Sequence, residues 1–237
     1  MRVSYPELYV LCKKALESCG LPLGSIEEAA ETAAWAEFVG LNGVAQLAEV
    51  LPQLERADVS AIHISSESDR LSLIDGAGLP SLLTGRAAAD LAYAQAKERK
   101  IGIAEVINTR PSDWLAQNAL QIAKRGLACT ILWSDRDGDH MAMMTPTMLQ
   151  PVIASKGTGS SYISSFLILC AEPGYLPISI QDQQSSERLQ ENWDHAMKYG
   201  KEVNEESWTV LVSAASQVLV EATEQSRLRG AGEGASE

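Results

Sequence analysis

The sequence predicts a mixed α/β protein, with a helical amino-terminal segment packed on a mixed β-sheet core and further helices flanking that core. Three features predict it. Apolar side chains recur at helical spacing through the first fifty residues. Two short apolar runs, at 101–107 and 127–133, have the length and branching of buried strands. Between them, 112–125 returns to helical spacing, so strand, helix and strand follow in the order of a βαβ unit. The organisation reads as a helical segment at 1–56, an α/β core with carboxyl-terminal helices at 57–229, and a small-residue tail at 230–237 that frays.

Taken in order, Leu8, Leu11, Cys12, Ala15, Leu16 and Cys19 mark a first helix, closed by Gly20 and Pro22. Ser25 stands three residues before Glu28, the spacing of a capping box, and opens a second helix at 26–39. Gly40 and Gly43 separate it from a third at 44–54. This unit is short and polar on one side, so it packs on something else rather than standing alone. Near-alternation of Ile62, Ile64, Leu71 and Leu73 predicts two short strands around a turn at 66–69. An alanine-rich helix at 84–100 ends in Lys97, Arg99 and Lys100, cations suited to its carboxyl end. Ser112 is placed to cap the helix at 112–125, and the strands on either side of it are expected to pair in parallel. A polar loop follows at 134–140. Pro146 and Pro151 argue against a long helix over 141–156, whose pattern leaves helix and strand open. Residues 164–170 read as a strand, and 187–199 and 202–228 as the last helices.

Composition excludes several function classes. With 237 residues, 46% hydrophobic and 21% charged, the chain buries a sizeable core without a metal or disulfide staple. Its net charge of −12, spread over both halves, leaves no basic stripe, which argues against a nucleic-acid partner. The longest apolar runs are far too short to span a bilayer. Arg2, Glu7, Lys13 and Lys14 leave no signal-like stretch at the amino terminus, so a cytoplasmic location is expected. Cys12, Cys19, Cys129 and Cys170 share no CxxC spacing and read as reduced core thiols. His63, His140 and His195 share no ligand spacing, and no metal site is expected.

Three clusters have chemical interest. Asp135, Asp137 and Asp139 alternate directly after the second buried strand, beside Gly138 and His140. Loops at the carboxyl ends of parallel strands are where α/β proteins bind ligands, and carboxylates are hard oxygen ligands for cations. The calcium-loop pattern fails, because His140 holds the position that needs glycine and Pro146 the one that needs glutamate. A solvated turn is the commoner origin of such a run. Gly157, Thr158, Gly159, Ser160 and Ser161 form a loop whose backbone amides suit a phosphate. Lys156 precedes these glycines rather than following them, so the cluster is no Walker loop and serves equally as a connector. Arg227, with Ser226 and Arg229 ahead of Gly230, suits either an anion clamp or a helix carboxyl end.

The stretch from Asp75-Gly76 through the alanine-rich helix, Asn108-Thr109 and Gly126-Leu127 resembles the central part of the malate/L-lactate dehydrogenase family that lacks a Rossmann fold. The resemblance covers about residues 25–135 and rests on order and spacing as much as identity. In that family the acid/base histidine stands in an S-H-G motif after the first helices; here "GLNG" puts Asn42 before Gly43, and a neutral amide shuttles no proton near neutral pH. The family's second histidine, in N-S-x-H-F-G, falls on Pro111. The chain also reads as shorter than those enzymes, without their carboxyl-terminal region. Over its whole length it is similar to a smaller bacterial family, domain of unknown function 3726, through "CGLPLGSIEEA", "VGLNGVAQLAEVL" and "EATEQSRLRGAG".

The dehydrogenase resemblance implies a nicotinamide cofactor, NAD or NADP, a small oxo or hydroxy acid as ligand, and a homodimer. Asn108, Arg110, Asp137, Gly157, Thr158 and Arg227 are the expected ligand-binding residues, with the proton donor moved to His140 or Asp135. The alternative is a non-catalytic binding protein or accessory subunit that kept the fold and lost the histidine. Trp35, Val39, Leu47 and Val50 are candidate partner contacts, though packing on their own domain is the ordinary reading.

Overall fold

The computed structural model describes residues 1–157, 164–175 and 183–218. A two-residue strand, β1 (Arg2–Val3), leads into helix α1 (Tyr5–Glu17). That helix starts at a capping box of Ser4 and Glu7, in which the Ser4 backbone N–H donates to Glu7 Oε2 at 2.8 Å. Helix α2 (Leu23–Val39) starts behind Pro22, ahead of the box expected at Ser25. Pro22 takes the N-cap position with φ −58° and ψ 142°, and the helix starts without a side-chain cap. α2 ends at Gly40 in the left-handed conformation, φ +93°, and α3 (Gly43–Leu54) begins after one tight corner. A Cβ on Gly43 would lie 2.1 Å from the Ala33 carbonyl oxygen, so only glycine lets α3 approach α2 this closely.

The expected pair of short strands forms as a hairpin, β2 (His63–Glu67) and β3 (Leu71–Asp75). Helix α4 (Ser81–Arg99) and strand β4 (Ile101–Ile107) follow, then α5 (Leu115–Lys124) and β5 (Ala128–Ser134). β6 (Gly138–Met144), β7 (Val152–Gly157) and β8 (Ser165–Ala171) continue the sheet. The described chain closes with α6 (Gln183–Tyr199), β9 (Lys201–Glu202) and α7 (Glu205–Ser216). β9 pairs with β1, which ties the two ends of this region together.

Seven strands form one mixed sheet in the order β2-β3-β4-β8-β5-β6-β7. The parallel pair is β3 with β4, joined by α4. This corrects the expected parallel pairing of β4 with β5: the two run in the same direction, but β8 lies between them and is antiparallel to both. Two more corrections concern β6. The ambiguous stretch after residue 140 is an antiparallel hairpin of β6 and β7, and the polar loop at 134–140 shrinks to a tight turn because Asp139 and His140 already belong to β6. The cap expected from Ser112 is absent as well. α5 starts at Leu115 without a side-chain cap, and the Ser112 hydroxyl bonds Gln46 Oε1 instead.

Helices cover one face of the sheet. Ala88, Ala92 and Ala96 of α4 lie against Ala104 and Val106 of β4, with Ile131, Phe166 and Ile168 beside them. A Cβ on Gly102 would come within 2.1 Å of the Ala92 carbonyl oxygen, so helix and strand meet backbone to backbone. A second core joins α1, α2 and α3 to α6 and α7 through Leu8, Leu16, Phe38, Leu47, Val203 and Leu211. Trp35, Val39 and Leu47 are at most 3% exposed within these cores, so they pack on their own fold. The other face of the sheet differs. Leu71, Ile103, Leu169, Leu167, Leu132 and Met141 alternate with the buried residues of their strands, and none belongs to either core.

Candidate functional site

One end of the sheet gathers the polar side chains. The carboxyl ends of β3, β4 and β5 meet the amino end of β8, which brings Asp75, Ile107, Ser165, Trp133 and His140 into adjacent rows. Asn108 lies just past the end of β4 with φ +52°, a left-handed conformation that asparagine tolerates better than most residues. Its side chain donates to Asp75 Oδ1 at 2.9 Å, and the same oxygen accepts the Ala77 N–H at 2.8 Å. These two bonds hold the Asp75 carboxyl below its usual range, the Ala77 backbone N–H contributing most. The Asp75-Gly76 turn is thereby stitched to the end of β4, and a Cβ on Gly76 would press within 3.0 Å of Thr109. Arg110 reaches back across this turn: Nη2 donates to the Gly78 carbonyl at 3.0 Å and Nη1 to Gln53 Oε1 of α3. Asn42, where the resembling family has histidine, is exposed at the corner before α3 with φ +54°. Pro111 is buried.

The second group surrounds the β5–β6 turn. Asp135 Oδ1 accepts the Asp137 N–H at 2.8 Å, a local turn that positions the carboxylate. The same oxygen lies 2.7 Å from His140 Nε2, while His140 Nδ1 lies 2.9 Å from the Ser155 hydroxyl of β7. The imidazole stacks on Trp133 with ring centroids 5.3 Å apart and planes 14° from parallel. Hydroxyl, imidazole and carboxylate therefore form one continuous chain, with Ser155 exposed at its outer end. Asp113, just before α5, feels this group electrostatically. Burial pushes its carboxyl up; His140 opposes that shift, and Asp135 and Asp137 add to it. The Trp133 indole N–H has no acceptor among the described residues.

Ser134, Leu132, Asp139, Ser165 and Leu167 line a cavity of about 300 Å³ on the open face of the sheet, with Trp133, His140 and Phe166 also contributing. That volume is at the small end of the range for small-molecule sites. Lys156 pairs in register with Asp139, and Gly157 with Gly138, so a cation and the last described residue of the glycine loop lie beside this cavity. The structure thus brings His140, Asp135, Asp137 and Gly157 together. Asn108 and Arg110 lie at the same end of the sheet but three strands away from β6, roughly 14 Å at the usual strand spacing. Thr158 and Arg227 fall outside the described residues. Sequence reading missed Ser155, Trp133 and Asp113, whose place depends on the β6–β7 register and on the approach of α5 to β6. Among the described residues no three His, Cys, Asp or Glu side chains converge as metal ligands.

The fold is that of the malate/lactate dehydrogenase-like proteins. A malate dehydrogenase from Pyrococcus horikoshii OT3 superposes with a TM-score of 0.74 at 15% identity, over 93% of this chain and 96% of its own. A sulfolactate dehydrogenase from Methanocaldococcus jannaschii gives 0.69 at 12%, over 92% and 97%. A delta1-piperideine-2-carboxylate reductase from Pseudomonas syringae pvar. tomato gives 0.65 at 11%, over 90% and 99%. The likeness of fold therefore runs well past residues 25–135, and it spans those chains nearly end to end, contrary to the expected loss of their carboxyl-terminal region. Residues 3–81 match the family described as "Protein of unknown function (DUF3726)". A search of curated proteins gives no match.

Proposed function

We propose that this chain is a dehydrogenase-like protein that binds a nicotinamide cofactor, NAD or NADP, and a small oxo or hydroxy acid at the polar end of its sheet. The observation that carries the reading is the fold, whose solved neighbours are dehydrogenases and a reductase over nearly their whole length. The residues present suit such a ligand. Leu132 and Leu167 offer an apolar floor, Ser134 and Ser165 offer hydroxyls, and Lys156 beside Gly157 offers a cation for phosphate in a chain of net charge −12. Asn108 and Arg110 hold the far wall by fixing the Asp75–Pro80 turn, and Thr158 and Arg227 remain proposed contacts.

A bound nicotinamide would supply hydride chemistry. The proton then has to come from the chain, and Asn42 has none to give near neutral pH. Asp135 orients the His140 ring and its Nδ1 meets the exposed Ser155 hydroxyl on the Trp133 face of the sheet, opposite the floor of Leu132 and Leu167, so in this reading the relay serves an oxo group only at the polar end, where the two faces meet. The protein works in this reading as a cytoplasmic homodimer with a small-molecule ligand and no nucleic acid. Asn42 and Pro111, standing where the resembling family has histidines, favour a second reading, a binding protein that kept the fold without the chemistry.

Thermal unfolding with NADH and with NADPH, followed by a screen of oxo acids for cofactor oxidation, tests both. A ligand at one hundred times its Kd stabilises by about 2.7 kcal/mol, several degrees in Tm for a chain of this size. A shift with turnover that His140→Ala abolishes supports the enzyme, whereas a shift without turnover supports the binding protein. No shift at millimolar cofactor contradicts the nicotinamide reading.

A further inference from the structure

Among the described residues β7 is the last strand of the sheet, so one of its edges has no strand beside it. The Asp135 N–H donates to the Gly138 carbonyl across the β5–β6 turn at 2.9 Å, and the alternation of the ladder then aims the His140 backbone groups at β5. His140 and Ser155 are therefore a non-hydrogen-bonded antiparallel pair, the kind whose side chains come closest, with Cα atoms about 4.5 Å apart. The Ser155 hydroxyl lies 2.9 Å from His140 Nδ1, and Asp135 Oδ1 lies 2.7 Å from Nε2. A carboxylate only accepts, so in the neutral ring the proton sits on Nε2 and donates to Asp135. Nδ1 is then a bare lone pair that accepts from the Ser155 hydroxyl, the relation of a general base to its nucleophile. The His140 side chain is 9% exposed with its ring stacked on Trp133, whereas Ser155 is open to solvent.

We propose that Ser155, His140 and Asp135 form an acyl-transfer centre that hydrolyses short, uncharged esters, an activity separate from the oxidoreductase reading and independent of any cofactor. His140 Nδ1 takes the Ser155 hydroxyl proton as Oγ bonds to the ester carbonyl carbon. The ester C–O bond then breaks, the proton passes from Nδ1 to the departing alcohol, and the acyl group stays on Ser155. Water repeats the exchange: its proton goes through His140 to Oγ, and the carboxylic acid leaves. The edge of the sheet supplies a donor for the oxyanion. Ile153 sends its N–H off the free edge of β7 to the Ser185 hydroxyl at 3.1 Å. Two residues on, the Ser155 N–H points off the same edge by the period of the strand, beside its own Oγ. Charge sets the substrate class. Asp113, Asp135 and Asp137 act on one another and on His140 electrostatically, in a chain of net charge −12, while Lys156 alternates to the opposite face. An anionic acyl donor is repelled by this group, and an uncharged ester is not.

The test treats the full-length chain with a fluorophosphonate, which phosphonylates an activated serine, and follows hydrolysis of p-nitrophenyl acetate. Peptide mass spectrometry is expected to place one label per chain, at Ser155. Ser155→Ala removes the label, and both Ser155→Ala and His140→Ala lower ester turnover roughly a hundredfold or more, with unchanged circular dichroism spectra. Asp135 acts through the imidazole, so Asp135→Asn, which no longer holds the proton on Nε2, lowers kcat with KM unchanged, and Asp135→Glu recovers part of the loss. If His140→Ala does not fold, Ser155→Ala at its exposed position and Asp135→Asn carry the test. An unlabelled wild type overturns the proposal, as does a label on another residue or turnover indifferent to Ser155. Because NADH binding is read separately, a chain that binds NADH but takes no label removes this proposal alone. A labelled chain that does not bind NADH removes the cofactor reading alone.

Discussion

The two faces of the sheet are built from the same kind of strand and meet opposite fates. On the covered face, β4 presents Gly102, Ala104 and Val106 to an α4 stripe of Ala88, Ala92 and Ala96. Small residues on both sides let helix and strand approach until no further methyl group fits. On the open face the same strand presents Ile101, Ile103, Glu105 and Ile107, all half-buried beside larger neighbours. Read as a string, Ile101–Ile107 looks buried on both sides. Among the described residues, this chain fills only one side.

Substitutions on the two faces sharpen that contrast. The largest effect is expected at Gly102→Val, where even the first carbon would collide with backbone of α4. A loss of about 4 kcal/mol or failure to fold is predicted, by urea unfolding or soluble yield. Next come neighbours on one strand. Phe166→Ala, on the covered face, is expected to cost about 3–5 kcal/mol. Leu167→Ala, one residue on but half-buried and facing outward, should cost less than about 1 kcal/mol. Equal costs measured in a monomeric background would break the distinction between the faces.

Smaller effects belong to the polar end. Asn108→Ala removes the bond to Asp75 and strains a left-handed residue, for about 1–2 kcal/mol, and Asn108→Gly should recover roughly half of it. Asp113 gives a pH signature. Its folded pKa is raised by burial, so its contribution is fully present below the ordinary carboxylate range and is lost as pH rises through the raised value. Asp113→Asn should therefore raise Tm at pH 7 by the equivalent of less than about 1 kcal/mol, with the gain vanishing near pH 4. A gain that persists at low pH would point away from titration of this group.

Much of the frame was legible because it is local. The β4 limits of 101–107, the alanine-rich α4 and the β2–β3 hairpin follow from periodicity and turn residues. Pairing was not legible. β8 comes some sixty residues after β4 and inserts beside it, and no local pattern records that choice. The capping signals misled in an instructive way: Ser25 and Ser112 have the right chemistry, but Pro22 started one helix earlier and Gln46 took the other hydroxyl. The same limit applies to the site. Asp135, Asp137 and His140 stood out as a cluster, whereas Ser155 joins them only through the β6–β7 register.

Amide hydrogen exchange with and without NADH tests the central claim most directly, because it reports on the polar end and the open face in one experiment. Slower exchange is expected on NADH addition in peptides covering 107–113, 132–140 and 165–167, with α1 and α7 unchanged. Uniform exchange at millimolar NADH, or protection confined to α1 and α7, would contradict it.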